Sequence, residues 1–134
     1  LYGNIEKSEE ITQERLKVWN KYYSGLNHLE ANGYISLPSV PKNCIHNAHM
    51  FYLKVKNLEE RTGLLKHLKT NDILSVFHYI PLHSSVAGVE FGRFSGDDEF
   101  TTKASEQLIR LPMYFGIHEN ETKKVVSKII QFFI

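Results

Sequence analysis

The stretch that decides the fold class is Leu74-Ser75-Val76-Phe77-His78-Tyr79-Ile80-Pro81-Leu82-His83. Its first seven residues are rich in apolar, β-branched and aromatic side chains, which is typical of a short strand. Pro81 has no backbone N–H to donate to a neighbouring strand, so it marks the end of the extended segment. We therefore predict a strand over residues 74–80 that stops abruptly before a loop.

The longest helix is predicted in the first quarter of the chain. Ser8 is a suitable N-cap, and Asn32-Gly33 supplies a left-handed stop. Between these ends, apolar residues recur close to the helical period at Ile11, Val18, Tyr22, Leu26 and Leu29. We expect Ile11, Val18 and Trp19 to form an exposed apolar stripe that packs on protein outside this sequence.

The other predicted elements are short and alternate between helix and strand. They are an extended linker over residues 34–44, a strand over 49–55, a helix over 59–70, a glycine-containing loop after residue 81, a helix from 101 or 102 to 109, a brief edge strand over 111–114 and a helix over 120–133. Few strands among helices predict the α+β class, with a small antiparallel sheet covered by helices on one face.

Composition narrows the functional classes. The 134 residues carry 16 Lys and Arg against 15 Asp and Glu, and no basic block stands alone, which argues against nucleic-acid binding. No apolar run approaches the roughly 18 residues of a membrane span, and the residues after Leu1 do not resemble a secretory signal. We expect a cytoplasmic protein, and a start at Leu1 leads us to expect a piece of a longer one.

The clustered polar residues are weak candidates for catalysis or metal binding. Cys44, His46 and His49 lie close together in sequence, but a structural zinc site usually needs four donors at paired spacing. We therefore expect no metal site. The carboxylates at residues 59–60 and 97–99 fall in predicted surface turns, so we assign no catalytic residue.

His78, Tyr79 and His83 are the candidate binding residues because they lie where the predicted strand ends. Binding groups are often found on loops that leave a rigid element. Imidazole donates or accepts a hydrogen bond, and tyrosine adds a hydroxyl on a flat apolar ring. This combination suits a sugar or a phosphate-bearing ligand. The alternative is a core strand with one hydrogen-bonded histidine.

The same residues carry a resemblance to a known family. The run from His78 to His83 resembles the His-Tyr-x-Pro-Leu-His signature of the DegT/StrS-type sugar-nucleotide aminotransferases. Three further segments resemble elements of that family: the interdomain helix at residues 15–23, the first small-domain strand at 47–52 and a Ser-Glu-x-Leu-x-x-Leu-Pro element within 101–112. The combination most resembles the transaminases that convert dTDP-4-keto-6-deoxy-D-glucose to dTDP-4-amino-4,6-dideoxy-D-galactose.

The resemblance implies a homodimeric enzyme of the aspartate-aminotransferase fold that uses pyridoxal phosphate, with glutamate as the amino donor, in surface polysaccharide (lipopolysaccharide) biosynthesis. In the family a lysine holds the cofactor as a Schiff base and an acidic residue pairs with its pyridine nitrogen, both on a large N-terminal domain. No lysine of this sequence stands in the family's cofactor-lysine motif. The cofactor is therefore expected to bind to a large domain that this sequence lacks.

By the same resemblance, residues 1–134 correspond to the C-terminal small domain. Residues 1–33 would be the long interdomain helix and residues 45–134 the α+β body, and His78, Tyr79 and His83 would bind the sugar nucleotide. The alternative function is a non-catalytic α+β module that docks a partner protein through its first helix. Such a module gives no reason to place two histidines and a tyrosine beside a proline at a strand end.

We predict that the isolated chain has no transaminase activity, because the cofactor-lysine motif is missing. Incubation with pyridoxal phosphate followed by borohydride reduction should label surface lysines only in a scattered, substoichiometric way. Stoichiometric labelling of one specific lysine would contradict this prediction.

Overall fold

A computed structural model of the chain describes residues 2–134; Leu1, which belongs to the predicted helix over 1–33, lies outside the described residues. The helices are α1 (Tyr2–Glu6), α2 (Ser8–Ala31), α3 (Leu58–Thr70), α4 (Val86–Phe91), α5 (Thr101–Gln107) and α6 (Glu119–Phe133). The strands are β1 (Tyr52–Lys54), β2 (Val76–Phe77) and β3 (Leu108–Arg110), and a single 3₁₀ turn covers Leu82–Ser84.

The three strands form one antiparallel sheet in the order β1-β3-β2. Ile109 of the central strand is paired with Leu53 on one side and with Phe77 on the other. Ile109 and Leu53 are fully buried under the helices. The predicted α+β class with a small antiparallel sheet is confirmed.

The position of the third strand differs from the prediction. A helix was expected through residue 109 and an edge strand over 111–114, whereas α5 ends at Gln107 and β3 occupies the centre of the sheet. The physical reason is that the backbone of residues 108–110 pairs with β1 on one side and with β2 on the other, so Leu108 and Ile109 join the sheet rather than α5. After Leu111 the chain leaves the sheet, and the Pro112 carbonyl accepts a 2.7 Å hydrogen bond from the Tyr22 hydroxyl.

The two other strands are shorter than predicted. The strand expected over residues 49–55 is regular only at Tyr52–Lys54, and the one expected over 74–80 only at Val76–Phe77. The second strand ends early because the Tyr79 carbonyl accepts a 2.6 Å hydrogen bond from the Ser105 hydroxyl of α5 rather than from a neighbouring strand. The expected loop after residue 81 contains the 3₁₀ turn and α4.

Helix α2 ends at the predicted place but starts one residue before the predicted start. Ser8 is its first helical residue and not its N-cap; the N-cap is Lys7, which makes no side-chain capping hydrogen bond. A separate short helix, α1, precedes it directly. The end is as predicted: Gly33 adopts a φ of 75°, and the N–H groups of Gly33 and Tyr34 donate to the carbonyls of Glu30 and Leu29. This pattern is the Schellman motif.

The prediction of an exposed apolar stripe on α2 is wrong for two of its three residues. Val18 and Trp19 are only 8% and 7% exposed, and Ile11 is half-buried. The reason is that the segment after the predicted linker, which contains His46 and Phe51, packs over the helix. The Trp19 ring meets those of Phe51 and His46 edge-on at 5.3 and 4.7 Å. Val18 and Trp19 therefore belong to the core.

Helices α3 and α6 bury the faces that their spacing predicts. The fully buried side chains include Leu64, Leu68 and Ile129. Helix α6 begins one residue before the expected Asn120, and the Glu121 carboxylate accepts the N–H of the N-cap residue His118 at 3.0 Å. No helix among residues 2–134 is both long enough and apolar enough to cross a bilayer.

The packing of α2 on α6 predicts opposite outcomes for two helical glycines. A Cβ at Gly25 would lie 2.8 Å from Val126 Cγ1, whereas a Cβ at Gly63 would lie 3.4 Å from the Phe132 ring. Both Gly→Ala changes gain up to about 1 kcal/mol of helix propensity. Only Gly25→Ala adds an overpacking cost of about 1–3 kcal/mol.

We therefore expect Gly25→Ala to be less stable than Gly63→Ala by about 1–3 kcal/mol in urea unfolding. Adding Val126→Ala to Gly25→Ala tests the cause, because it removes the γ-methyl groups that clash. Equal stabilities of the two single variants would rule out the close approach of α2 and α6.

Candidate functional site

An apolar cleft of about 510 Å³ lies between the chain that leaves β2 and helix α5. Residues 78–82 form one wall, and Thr101, Ala104, Ser105 and Leu108 form the other. We call it the β2 cleft. Its few polar groups stand on a largely apolar lining, which is the usual composition of a small-molecule site.

His78 and Tyr79 lie side by side on the wall of the β2 cleft. Their rings meet edge-on, with centroids 4.5 Å apart. His78 Nδ1 is buried and has no hydrogen-bond partner among the described residues, whereas Tyr79 is 66% exposed. The pair therefore combines an imidazole nitrogen that lacks a partner with an accessible phenol hydroxyl.

The cleft walls are tied together by hydrogen bonds to Ser105. Its hydroxyl donates to the Tyr79 carbonyl at 2.6 Å, and its carbonyl accepts from Arg61 Nη1 at 2.5 Å. The Arg61 guanidinium also lies 5.3 Å from the centre of the Phe77 ring. Helices α3 and α5 are thereby fixed against the end of β2, which holds Tyr79 in place.

His83 does not line the β2 cleft. It lies on the 3₁₀ turn and lines a neighbouring cleft of about 460 Å³ together with Arg93 and Phe94. Its Nε2 is 2.8 Å from the Asp98 carboxylate, and its ring is 4.4 Å from that of Phe94. Thr101 and Leu82 line both clefts, so the two are adjacent.

Asp98 is the centre of the hydrogen-bond network that holds His83. Its carboxylate accepts the Thr101 N–H at 2.9 Å, the Thr102 N–H at 3.3 Å and the Thr102 hydroxyl. The Thr102 hydroxyl bond is the main reason why the pKa of the Asp98 carboxyl lies below its usual range, and the two N–H donors and His83 act in the same direction. Asp98 therefore caps α5 as an anion.

Of the predicted site residues, His78 and Tyr79 come together and His83 stands apart from them. Sequence reasoning missed Ser105 and Asp98. Asp98 carried a readable signal, because an acidic residue just before Thr101-Thr102 is typical of a helix N-terminus. Ser105 begins the Ser-Glu-x-Leu-x-x-Leu-Pro element, but its contact with Tyr79, 26 positions away, has no signal in the sequence.

The residues that line the β2 cleft do not fit pyridoxal phosphate. The lining of the β2 cleft includes neither a lysine to bond the cofactor nor a carboxylate to pair with its pyridine nitrogen. No group of three or more His, Cys, Asp or Glu side chains is arranged to hold a metal ion within residues 2–134. The cleft has the chemistry to bind and orient a neutral polar ligand such as a sugar.

The Asp98 network predicts a loss of stability in acid. Because the folded-state pKa of Asp98 is lowered, ionised Asp98 stabilises the folded state above its ordinary pKa of 3.8, and this stabilisation is lost as the pH falls through the folded-state value. The urea midpoint of the wild type should therefore fall more steeply below pH 4 than that of Asp98→Asn. Glu99→Gln, which removes a neighbouring carboxylate, is the control and should follow the wild type. Parallel curves for wild type and Asp98→Asn would refute the role of Asp98.

Known proteins share this fold. The solved structure of the aminotransferase TlmJ from Streptoalloteichus hindustanus superposes with a TM-score of 0.86 at 16% identity, covering 98% of this chain and 34% of that one. Helicobacter pylori PseC, an aminotransferase involved in the biosynthesis of pseudoaminic acid, gives 0.85 at 14% identity, covering 98% and 35%. At these identities the likeness shows the fold alone.

Similarity in sequence points to one family. A protein of Geobacillus stearothermophilus named pleiotropic regulatory protein is 28% identical over 94 residues, which is 69% of this chain and 25% of the relative. The chain thus spans about a quarter of this relative and about a third of the solved structures. The model of the DegT/DnrJ/EryC1/StrS aminotransferase family matches residues 1–130. With nearly its whole length matched, the chain belongs to the DegT/DnrJ/EryC1/StrS aminotransferase family.

Proposed function

We propose that residues 1–134 are the C-terminal small domain of a pyridoxal phosphate-dependent sugar-nucleotide aminotransferase. The observation that carries the proposal is the β2 cleft, in which His78 and Tyr79 stand together on an apolar lining within a chain of this family. In the intact protein the cleft binds and orients the sugar. The cofactor and the amino-transfer chemistry belong to the large domain outside this chain.

The domain assignment is supported by large apolar side chains between residues 74 and 91 that reach solvent. They include Leu74, Ile80, Leu82, Val86, Val89 and Phe91, and Leu82 and Phe91 are 84% and 82% exposed. Exposed apolar surface often marks an interface. We assign this surface to contact with the large domain or with a second subunit of a homodimer. In this arrangement α2, within residues 1–33, joins the domains, and residues 45–134 form the body.

We propose dTDP-4-keto-6-deoxy-D-glucose as the sugar substrate and glutamate as the amino donor, giving dTDP-4-amino-4,6-dideoxy-D-galactose for polysaccharide synthesis in the cytoplasm. Support comes from the run His78-Tyr79-Ile80-Pro81-Leu82-His83 and from Arg110-Leu111-Pro112 at the end of the Ser-Glu-x-Leu-x-x-Leu-Pro element. The imidazole of His78 and the hydroxyl of Tyr79 are the groups that we expect to contact the sugar. His83 would act from the neighbouring cleft, where Asp98 orients it.

The test uses the full-length protein with glutamate and the ketosugar nucleotide, with the amino sugar detected by mass spectrometry. His78→Ala and Tyr79→Phe each remove a hydrogen bond worth about 0.5–1.5 kcal/mol, more if the partner is charged. We expect kcat/KM for the ketosugar to fall about threefold to a hundredfold with the cofactor still bound. His28→Ala, an exposed histidine on α2, should leave it unchanged.

His83→Ala needs a second readout because His83 also contacts Asp98. We expect a similar fall in kcat/KM with an unchanged urea midpoint if His83 contacts substrate. If His78→Ala and His83→Ala both keep wild-type kcat/KM, the site assignment is wrong. If the wild-type protein transfers no amino group but binds a partner protein, the alternative of a non-catalytic interaction module replaces the enzyme.

A further inference from the structure

We infer that Arg110 binds an oxyanion of a substrate, a carboxylate or a phosphate, at the edge of the β2 cleft. The inference rests on the proposed function and adds a binding residue to it. Arg110 belongs to the central strand, where Tyr52 on β1 and Val76 on β2 are its register partners. Its backbone is therefore fixed from both sides.

The strand register places Arg110 beside the β2 cleft. Side chains alternate along a strand, so Arg110 shares its sheet face with Leu108, which lines the cleft, and not with the buried Ile109. The Arg110 Cζ atom lies 5.9 Å from the centre of the Tyr79 ring. This contact is at the outer limit of a cation–π interaction, and it aligns the guanidinium with a wall of the cleft.

Arg110 is half-buried and has no acidic partner among the described residues. Its Nε is buried without a hydrogen-bond acceptor among the described residues, and the ion pairs found within residues 2–134 do not include it. Arg61 has a similarly buried Nε but donates to the Ser105 carbonyl through Nη1. A buried polar atom without a partner is costly, so the Arg110 Nε is expected to gain an acceptor, and the guanidinium charge favours an anionic one, in the intact, substrate-bound protein.

The charge of this sheet face favours an anion. Lys54, whose register partner is Leu108, lies on the same face as Arg110. The three strands, with sequences Tyr-Leu-Lys, Val-Phe and Leu-Ile-Arg, contain no carboxylate. The planar guanidinium fork matches the paired oxygens of a carboxylate or phosphate. Both occur in the proposed substrates, as the carboxylates of glutamate and the diphosphate of the sugar nucleotide.

The experiment distinguishes a glutamate carboxylate from the sugar-nucleotide diphosphate as the anion that Arg110 binds, in the full-length, cofactor-loaded protein. One arm measures the half-reaction with L-glutamate from the absorbance of the cofactor, and the other measures the affinity for dTDP by calorimetry. Arg110→Gln should weaken one of the two by about 10- to 100-fold, as expected for loss of a charge-assisted hydrogen bond. A rise in KM for glutamate identifies the carboxylate, and a rise in Kd for dTDP identifies the phosphate.

Two further variants keep the test decisive. Arg110→Lys retains the charge but loses the fork, so the same arm should weaken by a smaller factor of about 3 to 10. Lys69→Gln removes an exposed cation of α3 that is not on this face and should change neither arm by more than about twofold. If Arg110→Gln does not fold, Arg110→Lys decides.

The inference is overturned if the folded Arg110 variants match the wild type in both arms. It is also overturned if neither Arg110 variant folds, because Arg110 then serves the fold of the domain rather than a substrate. The proposed function is refuted if the wild-type protein binds dTDP but transfers no amino group. In that case the affinity of the Arg110 variants for dTDP still tests the role of Arg110.

Discussion

The pairing of Ile109 with Leu53 on one side and Phe77 on the other holds the domain together. Ile109 is fully buried, and its strand lies between two strands that precede it in the chain, so the sheet closes only when the last strand is inserted. Helix α5 ends directly before this strand. Insertion of β3 therefore also sets α5 against the end of β2, where Ser105 binds the Tyr79 carbonyl. The pairing of β3 with its two neighbours and the formation of the β2 cleft therefore depend on the same placement of residues 101–110.

The helices were predictable because their signals are local. A 3.6-residue apolar period and an Asn-Gly stop located α2 to within a residue, and buried Leu64, Leu68 and Ile129 follow the same rule. The α+β class followed from the number and length of the elements. The grouping of His78 with Tyr79 followed from their adjacency before a proline. Each of these inferences needed only residues close together in sequence.

The features that were missed depend on contacts between distant segments. Strand β3 is too short for a periodic signal, and its central place follows from its partners on both sides. Trp19 looked like an interface residue because nothing nearby in sequence covers it, yet Phe51 does. His83 was grouped with His78 by sequence proximity, but Asp98 draws it into the neighbouring cleft. In each case tertiary packing overrides local pattern.

The most direct test of the central claim, that the β2 cleft is a sugar-nucleotide pocket, is a crystal structure of the full-length protein with the ketosugar nucleotide bound. The account predicts the sugar in this cleft, with a hydroxyl or keto oxygen within about 3.2 Å of His78 or of the Tyr79 hydroxyl. It is contradicted if the nucleotide sugar binds elsewhere while side chains of the large domain fill the space between residues 78–82 and α5.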